Sequence, residues 1–315
     1  MKPKSLLIIG GTGFFGKSIL NYLLNDSFLN VKINKIFILS RRKIELAIYK
    51  KKLKKKLKII KINSNILTIK NLPIADYVIY AAILKNYRND YKAVKKYLEL
   101  AKIYHFKSKI LYISSGAIYG KQPHSTIGFK EKFLQFNNKI SFKKGYKKEY
   151  SKIKLKNEKL FKAFGKKGGK VSIARCFSFV GEYLSQNSYY IVGNLIKNIL
   201  NNESINIKSN YKIIRSYMYS DDLVRWLLKI LFHSNASCPI YNVGSNDEVE
   251  IHELAALLGK KYNLRIKSKT INEKVVDRYI PCIDKARKEL GLKNKINSFD
   301  AIIKTINSII KDGSS

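Results

Sequence analysis

Near the amino terminus an apolar run, Leu6-Leu7-Ile8-Ile9, breaks into glycines at Gly10, Gly11, Gly13 and Gly16. Leu20, Leu23 and Leu24 then recur at helical spacing. Strand, tight turn and helix must therefore follow one another with almost no slack, which few folds allow. Gly11, Gly13 and Gly16 fit the pattern G-x-G-x-x-G, and Gly10 adds the register G-x-x-G-x-x-G. Such glycines permit the turn, let the backbone approach a pyrophosphate, and seat the helix against the sheet. The first N–H groups of the helix and its dipole then favour the phosphates. A glycine pattern alone says little, but one that follows a strand and opens a helix reads as a dinucleotide site.

The chain continues as strands and helices in alternation. Residues 35–39 read as a second strand, ending in Ser40-Arg41-Arg42, and a third lies near 58–62. Residues 76–82 form a buried, β-branched fourth, closing on Ala81 and Ala82. A helix spans about 90–104, with Val94, Leu98 and Ala101 on one face. Strand 109–113 leads into Ser114-Ser115-Gly116-Ala117-Ile118-Tyr119-Gly120. This order predicts an α/β protein with a Rossmann-type doubly wound parallel sheet. Residues 121–148 are polar and weakly periodic, as a long loop over a site would be. Helix 149–164 and strand 171–174 follow, then helix 223–232, entered by Ser220-Asp221-Asp222. Strand 239–243 and helices 251–258 and 299–310 complete the pattern. The expected division is a dinucleotide-binding domain over 1–175 and a smaller, interleaved α/β substrate lobe over 176–315. Segments near 212–245 are expected to return to the first domain.

Composition narrows the class. A chain of 315 residues can bury a full core. Cys176, Cys238 and Cys282 are odd in number and widely spaced, which gives neither a disulfide framework nor a zinc pattern. His105, His124, His233 and His252 have no metal-ligand spacing, so no metal is expected. No apolar stretch reaches the roughly 18 residues of a membrane span, and the expected setting is cytoplasmic. The net charge is +40. Its lysines are spread over nearly every expected helix and are densest over 50–58, where Leu53 and Leu57 continue the spacing of Leu46 and Tyr49. They read as the wet side of an amphipathic helix, the alternative being contact with an anion, membrane or nucleic acid. A nucleic-acid binder more typically clusters arginines and aromatics on one element. Steering of anionic substrates follows in either case.

Tyr150 and Lys154 stand one turn apart on an expected helix and so share a face. An ammonium beside a phenol favours the phenolate, whose reference pKa is about 10. Ser115, at the carboxyl end of a strand, can donate a hydroxyl hydrogen bond to a substrate oxygen where open α/β sheets bind ligands. In a chain rich in tyrosine and lysine the pair alone is unspecific. The succession of glycine loop, Ser-Ser-x-x-x-Tyr-Gly and Tyr-x-x-x-Lys is far more specific.

In these residues the chain resembles the extended short-chain dehydrogenase/reductase family of nucleotide-sugar epimerases, dehydratases and reductases. Gly10 to Gly16, Ser114 to Gly120 and Tyr150 with Lys154 match its cofactor loop, serine strand and catalytic helix. Arg175-Cys-Phe-Ser178-Phe-Val-Gly181 resembles its Arg-x-x-Asn-x-x-Gly segment. Arg215-Ser-Tyr-Met-Tyr-Ser-Asp-Asp222 resembles Arg-x-Tyr-x-x-x-x-Asp, and Tyr241-Asn-Val-Gly244 the closing strand. The resemblance implies Ser115, Tyr150 and Lys154 as the catalytic set, with Tyr150 the acid/base and Lys154 also on the nicotinamide ribose. It implies cofactor contacts at Gly10, Gly13, Phe14, Phe15, Gly16, Ser40, Arg41, Arg42, Asn65, Ala81 and Ala82. Substrate contacts would come from Ser115, Ser178, Asn194, Arg215 and Arg278. Arg215 would grip the diphosphate of a nucleotide sugar, unless it pairs with Asp221 or Asp222, and Arg278 would be a second phosphate ligand. A homodimer would form through helices 90–104 and 149–164.

Two departures matter: Ser178 replaces the usual substrate-binding Asn, and Asn65 stands where an Asp often meets the adenine. Tyr80-Ala81-Ala82 in place of the frequent His-Ala-Ala is expected to be without consequence. After the second strand no carboxylate awaits the ribose 2′-hydroxyl. Arg41 and Arg42 stand there, with Glu45 the nearest acid, which favours NADP(H) over NAD(H). Gly116 and Ala117 follow Ser115 where dehydratases of this family carry Asp-Glu. The expected activity is thus 4-epimerisation or 4-ketoreduction. A sugar-nucleotide 4,6-dehydratase is the alternative, and a non-catalytic dinucleotide-binding regulator is the remoter one.

Overall fold

Strand formation at the centre of the main sheet follows from unbroken apolar runs that leave neither face for water. In the computed structural model, which describes residues 4–25, 33–42, 57–136, 146–185 and 190–313, β1 is Lys4–Ile9, β2 Ile33–Ser40, β3 Lys58–Asn63, β4 Tyr77–Tyr80, β5 Lys109–Ser115 and β6 Lys170–Cys176. Leu6, Leu7, Ile8 and Ile9 are fully or almost fully buried, as central parallel strands require. Each such side chain contributes about 1.5–3 kcal/mol relative to exposure. Most of the lysine-rich helix expected over 50–58, and Glu45, lie outside the described residues.

The helices are α1 Phe14–Asn25, α2 Tyr87–Tyr104, the single turn α3 Phe133–Phe136, and α4 Tyr146–Lys166. The main sheet has seven strands, in the order Ile240–Val243, β6, β5, β4, β1, β2, β3. All pairs from β3 to β6 run parallel. Chain order reverses direction between β1 and β4, so their carboxyl ends open a crevice, the place where doubly wound sheets bind ligands. The fold is Rossmann-like, as the alternation of elements predicts.

The chain separates into two compact units. One comprises 1–118, 143–176 and 224–241, the other 119–142, 177–223 and 242–315. The first has a core in which Tyr80, Tyr97, Tyr112 and Phe161 pack together, with Tyr112 and Phe161 stacked at 4.4 Å. The second packs Val192, Leu195, Ile196, Leu254, Leu258, Ile302 and Ile306 around a three-stranded sheet of Val249–Glu250, Tyr211–Arg215 and Asn272–Tyr279. In that unit helix Ile251–Tyr262 starts on the Glu250 carboxylate, which accepts from the backbone N–H of His252 and Glu253.

Candidate functional site

At the end of β1 the chain turns through Gly10 at φ 93°, a conformation that favours glycine. A Cβ at Gly10 would stand 2.6 Å from the Ala82 nitrogen, one at Gly11 2.2 Å from Ile38 Cγ2, and one at Gly16 2.3 Å from Gly11 Cα. These three glycines are demanded by the protein's own packing. Gly13 is different. A Cβ there would meet only the Gly10 carbonyl oxygen, at an ordinary 3.6 Å. Packing therefore leaves space above Gly13 beside the amino terminus of α1, where a pyrophosphate would approach the helix dipole. The turn is tied by Gly13 N donating to Gly10 O at 3.2 Å and Lys17 N to Gly13 O at 2.9 Å.

A cleft beginning at this loop is lined by Gly10, Thr12, Gly13, Ser40, Arg41, Arg42, Asn65, Ala81 and Ala82. Cofactor residues expected from four separate segments thus come together. Thr12 and Ser40 hydroxyls share a hydrogen bond of 2.8 Å, and Arg42 N donates to Ser40 Oγ at 3.2 Å. Ser40 is thereby held inward, while Arg41 and Arg42 are exposed. Asn65 Oδ1 accepts from Leu67 N and shapes its own turn. Phe14 and Phe15 open α1 with their rings edge to face at 5.8 Å, outside the lining of the cleft.

The expected catalytic residues sit on two elements that the chain ties to each other. Ser115 ends β5, and its Oγ accepts from Ala117 N at 3.2 Å. Ser151 Oγ, one residue after Tyr150, donates to Ala117 O at 2.8 Å. Lys154 Nζ donates to Ile113 O at 2.9 Å, lies 5.1 Å from the Tyr112 ring centre and 6.0 Å from that of Tyr150. One turn of α4 is therefore pinned to the end of β5 and to the turn that follows it. Tyr150 is partly buried and packs near Tyr87, whereas Lys154 is 5% exposed. Burial lowers Lys154 below the ordinary lysine value, and the negative charge of Asp90 foremost opposes that.

Beneath this pair lies a buried ionic group that spacing alone did not reveal. Glu158, one turn after Lys154, accepts from Arg175 Nε at 3.1 Å and Nη2 at 2.9 Å, and from Ser114 Oγ at 2.6 Å. The bidentate pair locks α4 onto the ends of β5 and β6. Breaking such a buried pair by removing one partner typically costs about 3–5 kcal/mol. Helical spacing puts Glu158 in line with Tyr150 and Lys154, but its partner Arg175 comes from β6, which that spacing cannot indicate.

Apart from Ser115, the expected substrate residues belong to the second unit. Ser178 O accepts from Met218 N at 3.1 Å, and Asn194 is exposed on helix Ile191–Leu200. Arg215 donates to Asp277 O at 2.6 Å and to Asp277 Oδ2 at 3.1 Å, so its ion pair is with Asp277 rather than Asp221 or Asp222. Asp221 meets Lys304, and Asp222 accepts from Lys295 N. Arg278 pairs with Glu248 and borders a cavity with Gln122, His124, Lys212 and Glu273. On adjacent strands Arg215 is opposite Tyr279 and Arg278 opposite Ile214. Strand alternation therefore places the two arginines on opposite faces of the small sheet, and it does not bring them together. Among the described residues no group of three or more His, Cys, Asp or Glu could hold a metal, and no helix is long and apolar enough to cross a membrane.

Against known proteins, residues 6–244 match the NAD dependent epimerase/dehydratase family. GDP-6-deoxy-D-mannose reductase of Pseudomonas aeruginosa is 26% identical over 168 residues, 51% of this chain and 51% of that protein. The chain thus matches about half the length of that curated relative. A solved structure of dTDP-glucose 4,6-dehydratase from Bacillus anthracis, in complex with NAD, is similar with a TM-score of 0.78 at 18% identity, covering 99% of this chain and 98% of that one. UDP-glucose 4-epimerase from Thermotoga maritima, with UDP-glucose, gives 0.76 at 17%, covering 99% and 100%. At such identities the likeness concerns the fold.

Proposed function

The chain belongs to the NAD-dependent epimerase/dehydratase family, and on that premise we propose that it is a nucleotide-sugar 4-epimerase or 4-ketoreductase. The observation that carries this reading is the double tie of α4 to the end of β5, Ser151 to Ala117 O and Lys154 to Ile113 O. It holds Tyr150 beside the Ser115 turn at the carboxyl edge of the sheet.

The glycine cradle and its cleft fit a nicotinamide dinucleotide, which when bound supplies or accepts a hydride. Gly13 gives the pyrophosphate room, and the amino terminus of α1 supplies N–H groups and dipole. Arg41 and Arg42 suit a ribose 2′-phosphate, which makes NADP(H) the favoured cofactor over NAD(H). Ser115 Oγ donates a hydrogen bond to the sugar oxygen. Tyr150 removes a proton from that oxygen as the ketone forms and returns one as the alcohol forms. A charged Lys154 steadies the phenolate between the two events. Arg215 turns from Asp277 to the substrate diphosphate, a task suited to a guanidinium. No second acid/base follows Ser115, because Gly116 and Ala117 carry no proton-transferring side chain. Hydride chemistry without loss of water is therefore the assigned reaction. The partial likeness to a sugar-nucleotide reductase supports the reductive direction, and a homodimer is the proposed assembly.

Incubation with dTDP-, UDP-, GDP- and CDP-hexoses and their 4-keto derivatives, with NADPH or NADH, tests the assignment. The expected products are 4-epimers or 4-hydroxy sugars. Accumulation of 4-keto-6-deoxy product from a hexose at enzymatic rates would make the enzyme a dehydratase.

A further inference from the structure

Lys154 is buried, and a buried lysine without a counter-charge loses its proton. The elements packed on this part of α4 are α2, β5 and β6. From β5 come the Ile113 carbonyl and the Tyr112 ring, whose phenol burial keeps neutral. From β6 comes the Cys176 thiol, which burial pushes well up, so that it too stays neutral. Arg175, also on β6, is committed to Glu158. On α4 itself stand Tyr150 and Glu158, the latter already neutralised by that guanidinium. From α2 comes Asp90.

Asp90 is 1% exposed, yet its hydrogen-bond donors are both neutral. Leu84 N donates to Oδ1 at 2.8 Å, and Asn157 Nδ2, three residues after Lys154, donates to Oδ2 at 3.0 Å. Two neutral donors orient a carboxylate without cancelling its charge. Burial raises Asp90 above the usual carboxylate range, and the charge of Lys154 foremost opposes the rise. Each group thus favours the ionised form of the other.

We propose that Asp90, held by Asn157 and the Leu84 N–H, is a positioning residue that serves as the buried counter-charge of Lys154 and keeps it protonated beside Tyr150. Its functional meaning rests on the assignment of Tyr150 and Lys154 above. The electrostatic claim does not.

The test is a pH titration of the protein carrying ε-13C lysine, followed by NMR, with the Lys154 signal identified by its loss in Lys154→Arg. Asp90→Asn keeps the shape but removes the charge; its amide oxygen still accepts from Leu84 N, and its amide nitrogen faces Asn157, whose own amide oxygen can turn to accept. It is expected to lower the Lys154 midpoint by about 1 pH unit or more. Asn157→Leu, which strips one donor from the carboxylate, is expected to lower it in the same direction, and decides the matter if Asp90→Asn does not fold. An unmoved midpoint in the folded variant overturns the proposal, whereas a purely structural role would alter melting and leave the midpoint in place. No substrate or cofactor is needed, so failure to turn over any nucleotide sugar would leave this result standing.

Discussion

Arg41 and Arg42 line the cleft after β2 and are exposed, while Ser40 is held in by Thr12, and the two arginines are the proposed partners of the adenosine ribose. A charge-assisted hydrogen bond to a 2′-phosphate contributes about 1.5–3 kcal/mol. Arg41→Ala is therefore expected to weaken NADPH binding about tenfold or more and leave NADH binding nearly unchanged, as cofactor fluorescence would show. A wild-type preference for NADH would remove Arg41 from this role. At this scale the positions of Ser115 at a strand end and of Tyr150 and Lys154 one turn apart on a helix were legible, because β5 and α4 form where the spacing expects them. Asp90 was only half so. It lies in register with Val94, Leu98 and Ala101, the apolar face of α2, and an acid on such a stripe signals a buried partner. Spacing cannot say which one, because that partner comes from α4. Nor could it foresee that Arg215 would pair with Asp277, some sixty residues away in sequence and adjacent only through strand pairing.

Among the elements, the glycine turn separates what folding needs from what a ligand needs. Gly16→Ala would press a methyl on the Gly11 backbone, and overpacking of that kind costs about 1–3 kcal/mol. Thermal melting of the unliganded chain should fall clearly for Gly16→Ala and barely for Gly13→Ala. Dinucleotide affinity of the folded Gly13→Ala protein should drop about tenfold or more, the equivalent of about 1.4 kcal/mol. Equal melting losses at both positions would show Gly13 to be structural. The long apolar strands and helices of the first half were readable because periodicity accumulates over many residues. Ile205–Ile207, Ile266–Ser268 and Val249–Glu250 were not, for two or three residues carry no period. Helix Ile191–Leu200 follows a polar stretch and opens at Tyr190 without a side-chain cap, so no start signal marks it.

At the scale of the molecule, each compact unit is assembled from three separate stretches of chain. Ser115, Tyr150 and Lys154 belong to one unit and Arg215 to the other. Such interleaving leaves no linker or shift in composition to read, only returns of strand and helix late in the chain. The charge of +40 is likewise spread over most elements rather than gathered on one, which suits general attraction of anionic nucleotides. The proposed chemistry depends on Tyr150 as the proton-transfer group of a hydride-transfer enzyme. With the nucleotide sugar that the wild type converts fastest, turnover of Tyr150→Phe should be compared with its NADPH affinity measured separately. Turnover is expected to fall by roughly 100-fold or more, with affinity and melting preserved. Near-wild-type turnover in the folded, cofactor-binding variant would contradict it.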